Sequence, residues 1–259
     1  APSNTAERSD PRPDRRARGK GFWTHPRTGY PSPVRFLLPP DRGAVRGSAR
    51  AAVLSEWMTE WLGEPVEVSL APSYRELAAA IRAGNVDLAW APPAICAQLH
   101  TGVRAMLTVV RYGATACSAA LLVRREEGPQ SIEDLRGKRA AWVDPLSTCG
   151  HLLALAHLQD RGLDAAKCFK EQRFAGTYRD AIIDVAKGRA AVPSTYVVDD
   201  DEAATLREVL DVTGYGSDHL RVLCTTAPAP YDALIIGERV ADWEGLQARL
   251  LDLDRRVGT

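Results

Sequence analysis

Short apolar runs alternate with segments of helical periodicity along most of the chain. The runs are typical of buried strands and lie at 34–38, 66–70, 86–90, 105–111, 118–124, 139–143, 169–174, 190–198, 220–225 and 232–236. Between them, apolar residues at helical spacing predict helices at 46–62, 74–83, 147–161, 177–187, 200–210 and 243–257. Strands that alternate with helices predict an α/β fold in which crossover helices connect mainly parallel strands.

The predicted elements fall into two similar series. The long apolar strand at 118–124 leaves the first series, and the strand at 220–225 leads back toward it. Two α/β units joined by two extended crossings indicate a hinged pair of lobes.

The pattern also predicts helix ends and buried faces. Ser73 is a helix N-cap, and Glu76 three residues later completes a capping box before the buried face begins at Leu77. Gly84 ends this helix. For the helix at 46–62 we expect a buried face made of Ala49, Val53, Leu54, Trp57 and Trp61.

Residues 1–32 differ in composition from the rest of the chain. They are rich in Pro, Arg, Asp, Ser and Gly, which predicts a disordered or surface-draped leader. The basic run at 15–18 is expected to be solvated rather than to bind nucleic acid. This segment lacks the apolar core of a secretory signal, but the chain begins at Ala1, so the sequence leaves export undecided.

Bulk composition narrows the functional classes. Lys plus Arg and Asp plus Glu both number 33, so no net charge favours a nucleic acid or a membrane surface as partner. Hydrophobic residues make up 45% of the chain, and no apolar run reaches the roughly 18 residues that a membrane-spanning helix needs. These values are typical of a globular binding protein or enzyme.

The five cysteines are widely spaced and form no Cys-x-x-Cys pair. This spacing makes a metal knuckle unlikely, so we expect no metal, and the odd number argues against a complete disulfide framework. Cys96 and Cys117 lie among apolar residues and are interpreted as small buried hydrophobic side chains. Cysteine usage mildly favours a reducing compartment, with a single disulfide left open.

The segment from Asp144 to His151 has the sequence DPLSTCGH, and it lies between a predicted strand and a predicted helix. This order places Ser147 or Thr148 at the helix N-cap. Unpaired backbone N–H groups and the positive end of the helix dipole would then face a crevice, and such a place suits an anion. A plain N-cap is the alternative interpretation of an isolated Ser-Thr pair.

Cys149 and His151 raise the question of a catalytic nucleophile, because a helix N-terminus lowers a thiol pKa. Residues two apart on a helix do not face each other, and no third orienting group is in place. We therefore expect no catalytic dyad.

Five phrases occur in a recognisable order. They are YREL…IRAGNVDLAWAPP from Tyr74, SIEDLRGKR from Ser131, DP…ST…G from Asp144, FAGTY from Phe174 and PAPYDAL from Pro228. The chain resembles the phosphate/phosphonate substrate-binding proteins of ABC transporters, a branch of the type II periplasmic binding proteins.

The resemblance implies a two-lobed fold in which each lobe is a mixed sheet flanked by helices, and in which two strands form the hinge. Lobe 1 would comprise residues 33–115 plus 224–259, and lobe 2 residues 116–223. It also implies a small phosphorus oxyanion in the interlobe cleft, bound without chemical change, cofactor or metal.

Site residues follow from the resemblance position by position. Tyr74 is similar to the family's phosphonate-contacting tyrosine. Ser147 and Thr148 resemble its hydroxyl donors, with the amides of Cys149 and Gly150 beside them. Two further positions complete the predicted ligand-binding set, Tyr178 and Asp232.

Asp232 matches a position that can hold the cationic end of an aminophosphonate. Two departures from the family pattern are Cys149, where a second small hydroxyl residue is frequent, and Tyr178, where a histidine is frequent. Both departures concern donors to the ligand.

The implied partners are a small anion and the membrane subunits of an ABC transporter, with no nucleic acid, and the chain is expected to be a monomer. The family is periplasmic, while the absence of a visible signal and the odd cysteine count leave the cytoplasm open. Two alternatives keep the fold: a ligand-sensing domain of a signalling or regulatory protein, and a cofactor-biosynthesis enzyme.

Overall fold

The computed structural model describes residues 32–40, 44–111, 113–198 and 201–257. The predicted leader, apart from residue 32, lies outside the described residues. The strands are β1 Val34–Leu38, β2 Val66–Leu70, β3 Leu88–Ala91, β4 Val103–Thr108, β5 Ala116–Cys117, β6 Ala119–Arg124, β7 Arg139–Trp142, β8 Glu171–Phe174, β9 Ser194–Tyr196, β10 Leu220–Thr225, β11 Ala229–Pro230 and β12 Ala233–Gly237. The α-helices are α1 Ala44–Leu62, α2 Tyr74–Arg82, α3 Pro93–Cys96, α4 Leu153–Asp160, α5 Ala165–Cys168, α6 Tyr178–Ala186, α7 Glu202–Thr213 and α8 Trp243–Val257. A 3-10 turn spans Glu133–Leu135, and a π-helical turn at Thr148–Leu152 leads directly into α4.

The first unit contains a five-stranded mixed sheet. Its strand order is β2-β1-β3-β12-β4, with β1 parallel to β2 and β3 and with β12 antiparallel to β3 and β4. The strand β12 comes from the C-terminal part of the chain, so this unit is completed only after the second one has been traversed.

The second unit repeats this design. Strand β6 pairs antiparallel with both β9 and β10, and β7 pairs parallel with β8. Residues just before β9 join the two groups, because Ala141 N–H donates to Val192 O and Leu122 N–H donates to Pro193 O. The mixed sheet therefore continues across the whole unit.

Two short strands connect the units. β5 pairs antiparallel with β11, with Ala229 opposite Cys117 and Pro230 opposite Ala116. The two connections between the units therefore run side by side and hydrogen-bond to each other, as a two-strand hinge requires. The strands predicted as crossings, 118–124 and 220–225, instead correspond to β6 and β10 in the sheet of the second unit.

Each unit has its own apolar core. One pair of clusters centres on Leu77, Ile81 and Leu88 of the first unit, and a second pair on Leu122 and Trp142 of the second. All five of these side chains are fully buried. In the described part of the chain, no helix is long and apolar enough to cross a bilayer.

Helix α2 begins as predicted. Ser73 Oγ accepts a hydrogen bond from Glu76 N–H at 3.2 Å and donates one to Glu76 Oε2 at 2.9 Å. Gly84 follows the helix with a φ of 61°, a conformation that glycine adopts without strain.

The predicted inner face of α1 was wrong in part. Val53 is 68% exposed and Trp57 41% exposed, whereas Leu54 and Trp61 are partly buried against an apolar cluster of the first unit that includes Met58. Trp57 stacks on Trp61, with ring centroids 6.1 Å apart.

Candidate functional site

The two units enclose a cavity of about 570 Å³. Six of the seven predicted site residues line it, namely Tyr74, Ser147, Thr148, Cys149, Tyr178 and Asp232. The other lining residues are Pro39, Pro92, Pro93, Arg111, Cys117, Tyr196, Val197, Val198, Glu208 and Tyr231. Side chains far apart in sequence therefore meet at one place.

Ser147 caps the helix that follows β7. Its Oγ accepts a hydrogen bond from Gly150 N–H at 3.2 Å and lies 3.3 Å from Tyr178 Oη, and only 1% of the residue is exposed. Of the two N-cap candidates, the structure selects Ser147. The oxygen accepts the bond from Gly150 N–H, so its own proton can be donated to a neighbouring oxygen, that of Tyr178 or of an acceptor in the cavity.

Thr148 connects the two units. Its Oγ1 accepts a hydrogen bond from Ala94 N–H at 3.1 Å, and Ala94 lies in α3 of the first unit. The hydroxyl proton of Thr148 can still be donated elsewhere. The bond closes one side of the cavity and brings the helix start of the second unit against the first.

Tyr74 approaches Ser147 from the first unit. Burial, followed by the negative charges of Asp144 and Asp232, raises the pKa of the Tyr74 phenol to about 12, and a hydrogen bond with Ser147 offsets part of this shift. The phenol is thus a neutral donor at physiological pH. Tyr74 and Ser147 form a second contact across the cavity.

Asp232 belongs to a charged cluster. Its Oδ2 accepts a hydrogen bond from Trp90 Nε1 at 2.8 Å and lies 3.6 Å from Arg111 Nη2. Burial raises the pKa of the Asp232 carboxyl, and the bond from Trp90 and the charge of Arg111 act in the opposite direction. The Arg111 guanidinium also lies 5.6 Å from the ring centroids of both Trp90 and Tyr231.

Cys149 presents a buried thiol to the cavity wall. Its Sγ lies 3.6 Å from Cys117 Sγ, and its carbonyl accepts a hydrogen bond from Ser194 Oγ. Contact with Cys117 and burial raise the pKa of the Cys149 thiol, so the thiolate that a nucleophile requires is disfavoured. Cys117, expected to be a buried hydrophobic side chain, is only partly buried and lines the cavity.

Gly150 and His151 lie behind the wall. Gly150 is not among the described residues that line the cavity, and its N–H is engaged by Ser147. His151 Nδ1 lies 3.0 Å from Pro145 O, and burial lowers the pKa of its imidazole. Its ring packs edge-on against Phe174, so it is oriented by structural contacts rather than toward the Cys149 thiol.

Sequence reasoning missed Arg111, Tyr196, Tyr231 and Glu208 as cavity residues. Tyr231 immediately precedes Asp232, and this adjacency was a usable signal. Arg111 follows the end of β4 by three residues, but only the tertiary structure brings it to Asp232. Tyr196 Oη donates to Glu208 Oε1 at 2.8 Å, a pair that joins β9 to α7. Among the described residues, no cluster of His, Cys, Asp and Glu could hold a metal ion.

A family model matches residues 36–258 of the 259-residue chain. Its description is "ABC transporter, phosphonate, periplasmic substrate-binding protein". The chain belongs to this family. The family prediction is thereby confirmed, and family members are non-enzymatic components that deliver a small ligand to a membrane transporter.

Solved structures agree on the architecture. A binding-protein component of an ABC phosphonate transporter from Pseudomonas aeruginosa matches with a TM-score of 0.69 and 18% identity over 85% of this chain and 72% of that one. PhnD1 from Prochlorococcus marinus, in complex with methylphosphonate, matches with a TM-score of 0.64 and 17% identity over 80% and 77% of the two chains.

A Xanthomonas citri protein bound to ATP matches with a TM-score of 0.64 and 20% identity over 85% of this chain and 83% of that one. At such identities the likeness concerns the fold alone. It confirms the predicted fold class, the two-lobed type II periplasmic-binding-protein architecture of this phosphonate-binding family.

Proposed function

We propose that this phosphonate-family protein binds a small phosphorus oxyanion in the cavity between its units, as the substrate-binding component of an ABC transporter. The ligand would be a phosphonate, phosphite or phosphate. The observation that carries the proposal is the convergence of four hydroxyls, those of Tyr74, Ser147, Thr148 and Tyr178, on one cavity beside a helix start.

The proposed recognition relies on neutral donors. The side-chain oxygens of Ser147 and Thr148 accept hydrogen bonds from backbone N–H groups, so each hydroxyl can act as a donor. The proton of Ser147 would turn from a neighbouring phenol to the ligand when the ligand binds. Hydrogen bonds to a charged acceptor are stronger than those between neutral groups. The positive end of the helix that continues into α4 adds favourable potential for an anion.

The charges near the cavity favour an ion that carries its own positive group. Arg111 and Asp232 neutralise each other, and Glu208 adds a carboxylate at the far side. We infer that Asp232 can receive the ammonium of an aminophosphonate, as the resemblance implies. The ammonium would share the carboxylate with Trp90 and Arg111.

Closure is part of the proposed binding step. The Thr148–Ala94 and Tyr74–Ser147 contacts both join one unit to the other. A ligand that completes these contacts would stabilise the closed arrangement, so its affinity includes the free energy of closure. We propose lobe 1 as residues 33–115 plus 224–259 and lobe 2 as 116–223, with β5 and β11 as the hinge.

No chemical step is included in the proposal. The raised pKa of Cys149 and the engagement of His151 by Pro145 disfavour a thiol nucleophile at this position. We further propose that the protein acts as a monomer in the periplasm, where it would present the closed, loaded state to transporter membrane subunits.

Thermal unfolding of the full chain tests the proposal. Methylphosphonate, 2-aminoethylphosphonate, phosphite, phosphate and sulfate would be added singly, each well above micromolar concentration. A ligand that binds only the folded state raises the melting temperature by linkage. We expect a rise with at least one phosphorus oxyanion, a smaller one or none with sulfate, and loss of the rise in Ser147→Ala/Thr148→Ala.

Thr213→Ala is the matched control. Thr213 is also a buried hydroxyl residue of the second unit, and its Oγ1 donates to Val209 O far from the cavity lining. This variant should lose stability but keep the ligand response. A response that persists in the double variant, or the absence of any response to phosphorus oxyanions, would contradict the proposed site.

A further inference from the structure

Two cysteines meet in the cavity wall although 32 positions separate them in sequence. Cys117 ends the hinge strand β5. Cys149 lies in the π-helical turn that leads into α4, and we call this turn together with α4 the anion-facing helix. Their sulfurs are 3.6 Å apart. Among the described residues, this is the only sulfur–sulfur contact.

The two thiols have different surroundings. Cys117 is half-buried and lines the cavity, so a reagent in the cavity can reach it. Cys149 is buried behind it. Hydrogen bonding from Cys149 lowers the pKa of the Cys117 thiol, while the same contact and burial raise that of Cys149. Cys117 is therefore the sulfur that ionises and meets an oxidant first.

We propose that Cys117 and Cys149 form a reversible disulfide in the cavity wall, which ties the hinge strand to the start of the anion-facing helix. A disulfide requires sulfurs about 2 Å apart, so the pair must approach by about 1.5 Å. Side-chain rotation and a small shift of the two-residue strand β5 supply this movement. The proposal depends on the geometry of the thiols and not on the identity of the ligand.

The oxidant is a small disulfide, for which oxidised glutathione serves as the probe. The Cys117 thiolate attacks one glutathione sulfur, forms a mixed disulfide and releases one glutathione thiolate. Once Cys117 is joined to glutathione it no longer carries the negative charge that raises the pKa of the neighbouring Cys149 thiol. Cys149 then gives its proton to solvent, attacks Cys117 Sγ and releases the second glutathione thiolate. The protein loses two electrons in total, and glutathione disulfide accepts them as its sulfur–sulfur bond breaks.

The remaining cysteines provide the control. Cys96 Sγ contacts Ala91 O at 3.3 Å, and Cys168 and Cys224 belong to an apolar cluster of the second unit. None of these three lines the cavity among the residues described. They should remain thiols under conditions that oxidise the proposed pair.

Thiol counting on the full chain tests the proposal. Protein is equilibrated with oxidised glutathione or with dithiothreitol, quenched in denaturant with N-ethylmaleimide, and weighed by intact mass spectrometry. We expect the oxidised wild type to carry two fewer adducts than the reduced chain, and peptide mapping to join Cys117 to Cys149. Cys96→Ser should show the same difference of two.

Cys117→Ser should abolish the difference, whereas Cys149→Ser should retain glutathione on Cys117 and carry one maleimide adduct fewer than its reduced form. Circular dichroism checks the folding of both variants, and disulfide mapping on the wild type tests the bridge even if a variant fails to fold. An equal number of adducts in both wild-type samples, a glutathione adduct that persists on Cys117 of the wild type, or a bridge mapped to another pair would overturn the proposal.

Discussion

The two walls of the cavity offer a ligand different chemistry. On the wall from the second unit, Ser147, Thr148 and Tyr178 present hydroxyls beside a helix start, and none of them is charged at neutral pH. On the wall from the first unit, Arg111 and Asp232 carry opposite charges and pair with each other. We call the three hydroxyl residues beside the helix start the neutral wall, leaving aside Glu208 of the same unit, and interpret them as the part that holds the oxyanion. We call Arg111 and Asp232 the charged wall and interpret it as the part that selects the other groups of the ligand.

The walls also differ in how the chain builds them. Ser147 and Thr148 are adjacent and are placed by a single helix cap, so local rules largely determine their positions. The charged wall combines Trp90, Arg111 and Tyr231–Asp232 from three separate segments. Substitutions in the two walls should therefore have different effects. Those in the neutral wall should act mainly through packing, and those in the charged wall mainly through charge.

The largest effect is expected from Gly150→Ala, which tests how closely the neutral wall is packed from behind. A Cβ at this position would lie 2.4 Å from Val143 Cγ2 and 2.7 Å from Ser147 Oγ. Side chains or backbone must move to relieve such contacts, so we expect a loss of about 2–3 kcal/mol in the free energy of unfolding. Urea unfolding measures the loss.

Gly216→Ala is the matched control, because the nearest atom to a Cβ there, Leu210 Cβ, is 3.1 Å away. It should be destabilised less than Gly150→Ala. Equal losses of unfolding free energy in the two variants would show that the close packing behind Ser147 does not determine the effect of Gly150→Ala.

Tyr74→Phe tests whether the first unit contributes a neutral donor to the oxyanion. Hydrogen bonds to charged groups contribute about 1.5–3 kcal/mol, so the affinity for methylphosphonate should fall roughly 10- to 100-fold. Isothermal titration calorimetry measures the change. Tyr215→Phe removes a phenol remote from the cavity lining and should leave the affinity as it is, whereas an unaltered affinity in Tyr74→Phe would assign Tyr74 a packing role.

Asp232→Asn tests the charge balance of the first wall. The substitution leaves the Arg111 guanidinium without its counterion, so methylphosphonate should bind more tightly, on the order of tenfold at low salt. The gain for 2-aminoethylphosphonate should be smaller, because its ammonium loses a carboxylate. Calorimetry gives the ratio of variant to wild-type affinity for each of the two ligands. An equal gain in affinity for both would mean that Asp232 does not contact the ammonium.

The smallest effect concerns pH and the same residue. The pKa of Asp232 is raised from its ordinary value of 3.8 in the folded protein. Between that value and the raised pKa the folded state binds more protons than the unfolded chain, so this group lowers the free energy of unfolding as pH rises. The stability of Asp232→Asn relative to wild type should therefore increase as the pH rises through a range that begins near 3.8. Urea unfolding measures both proteins across that range. Free energies of unfolding of wild type and Asp232→Asn that change in parallel with pH would contradict the raised pKa of Asp232.

Sequence periodicity predicted most elements because each strand and helix carries its own pattern. The bounds of β1, β2, β10 and α8 are those expected, and Ser73 caps α2 with Glu76 as its side-chain partner. The short strands β5 and β11 were not predicted, since a two-residue strand is recognised by its partner rather than by a pattern. The face of α1 was wrong at Val53 and Trp57, because exposed apolar residues at helical spacing resemble a core stripe.

The sequence by itself determined the alternation of elements, the helix start at Ser147 or Thr148 and the family, since these depend on neighbouring residues and on the order of motifs. Only the tertiary structure decided that Tyr74 reaches Ser147, that Arg111 pairs with Asp232, and that Cys117 touches Cys149. Such contacts depend on how two units pack across a hinge. Distances between residues far apart in the chain follow from that packing and leave no local pattern.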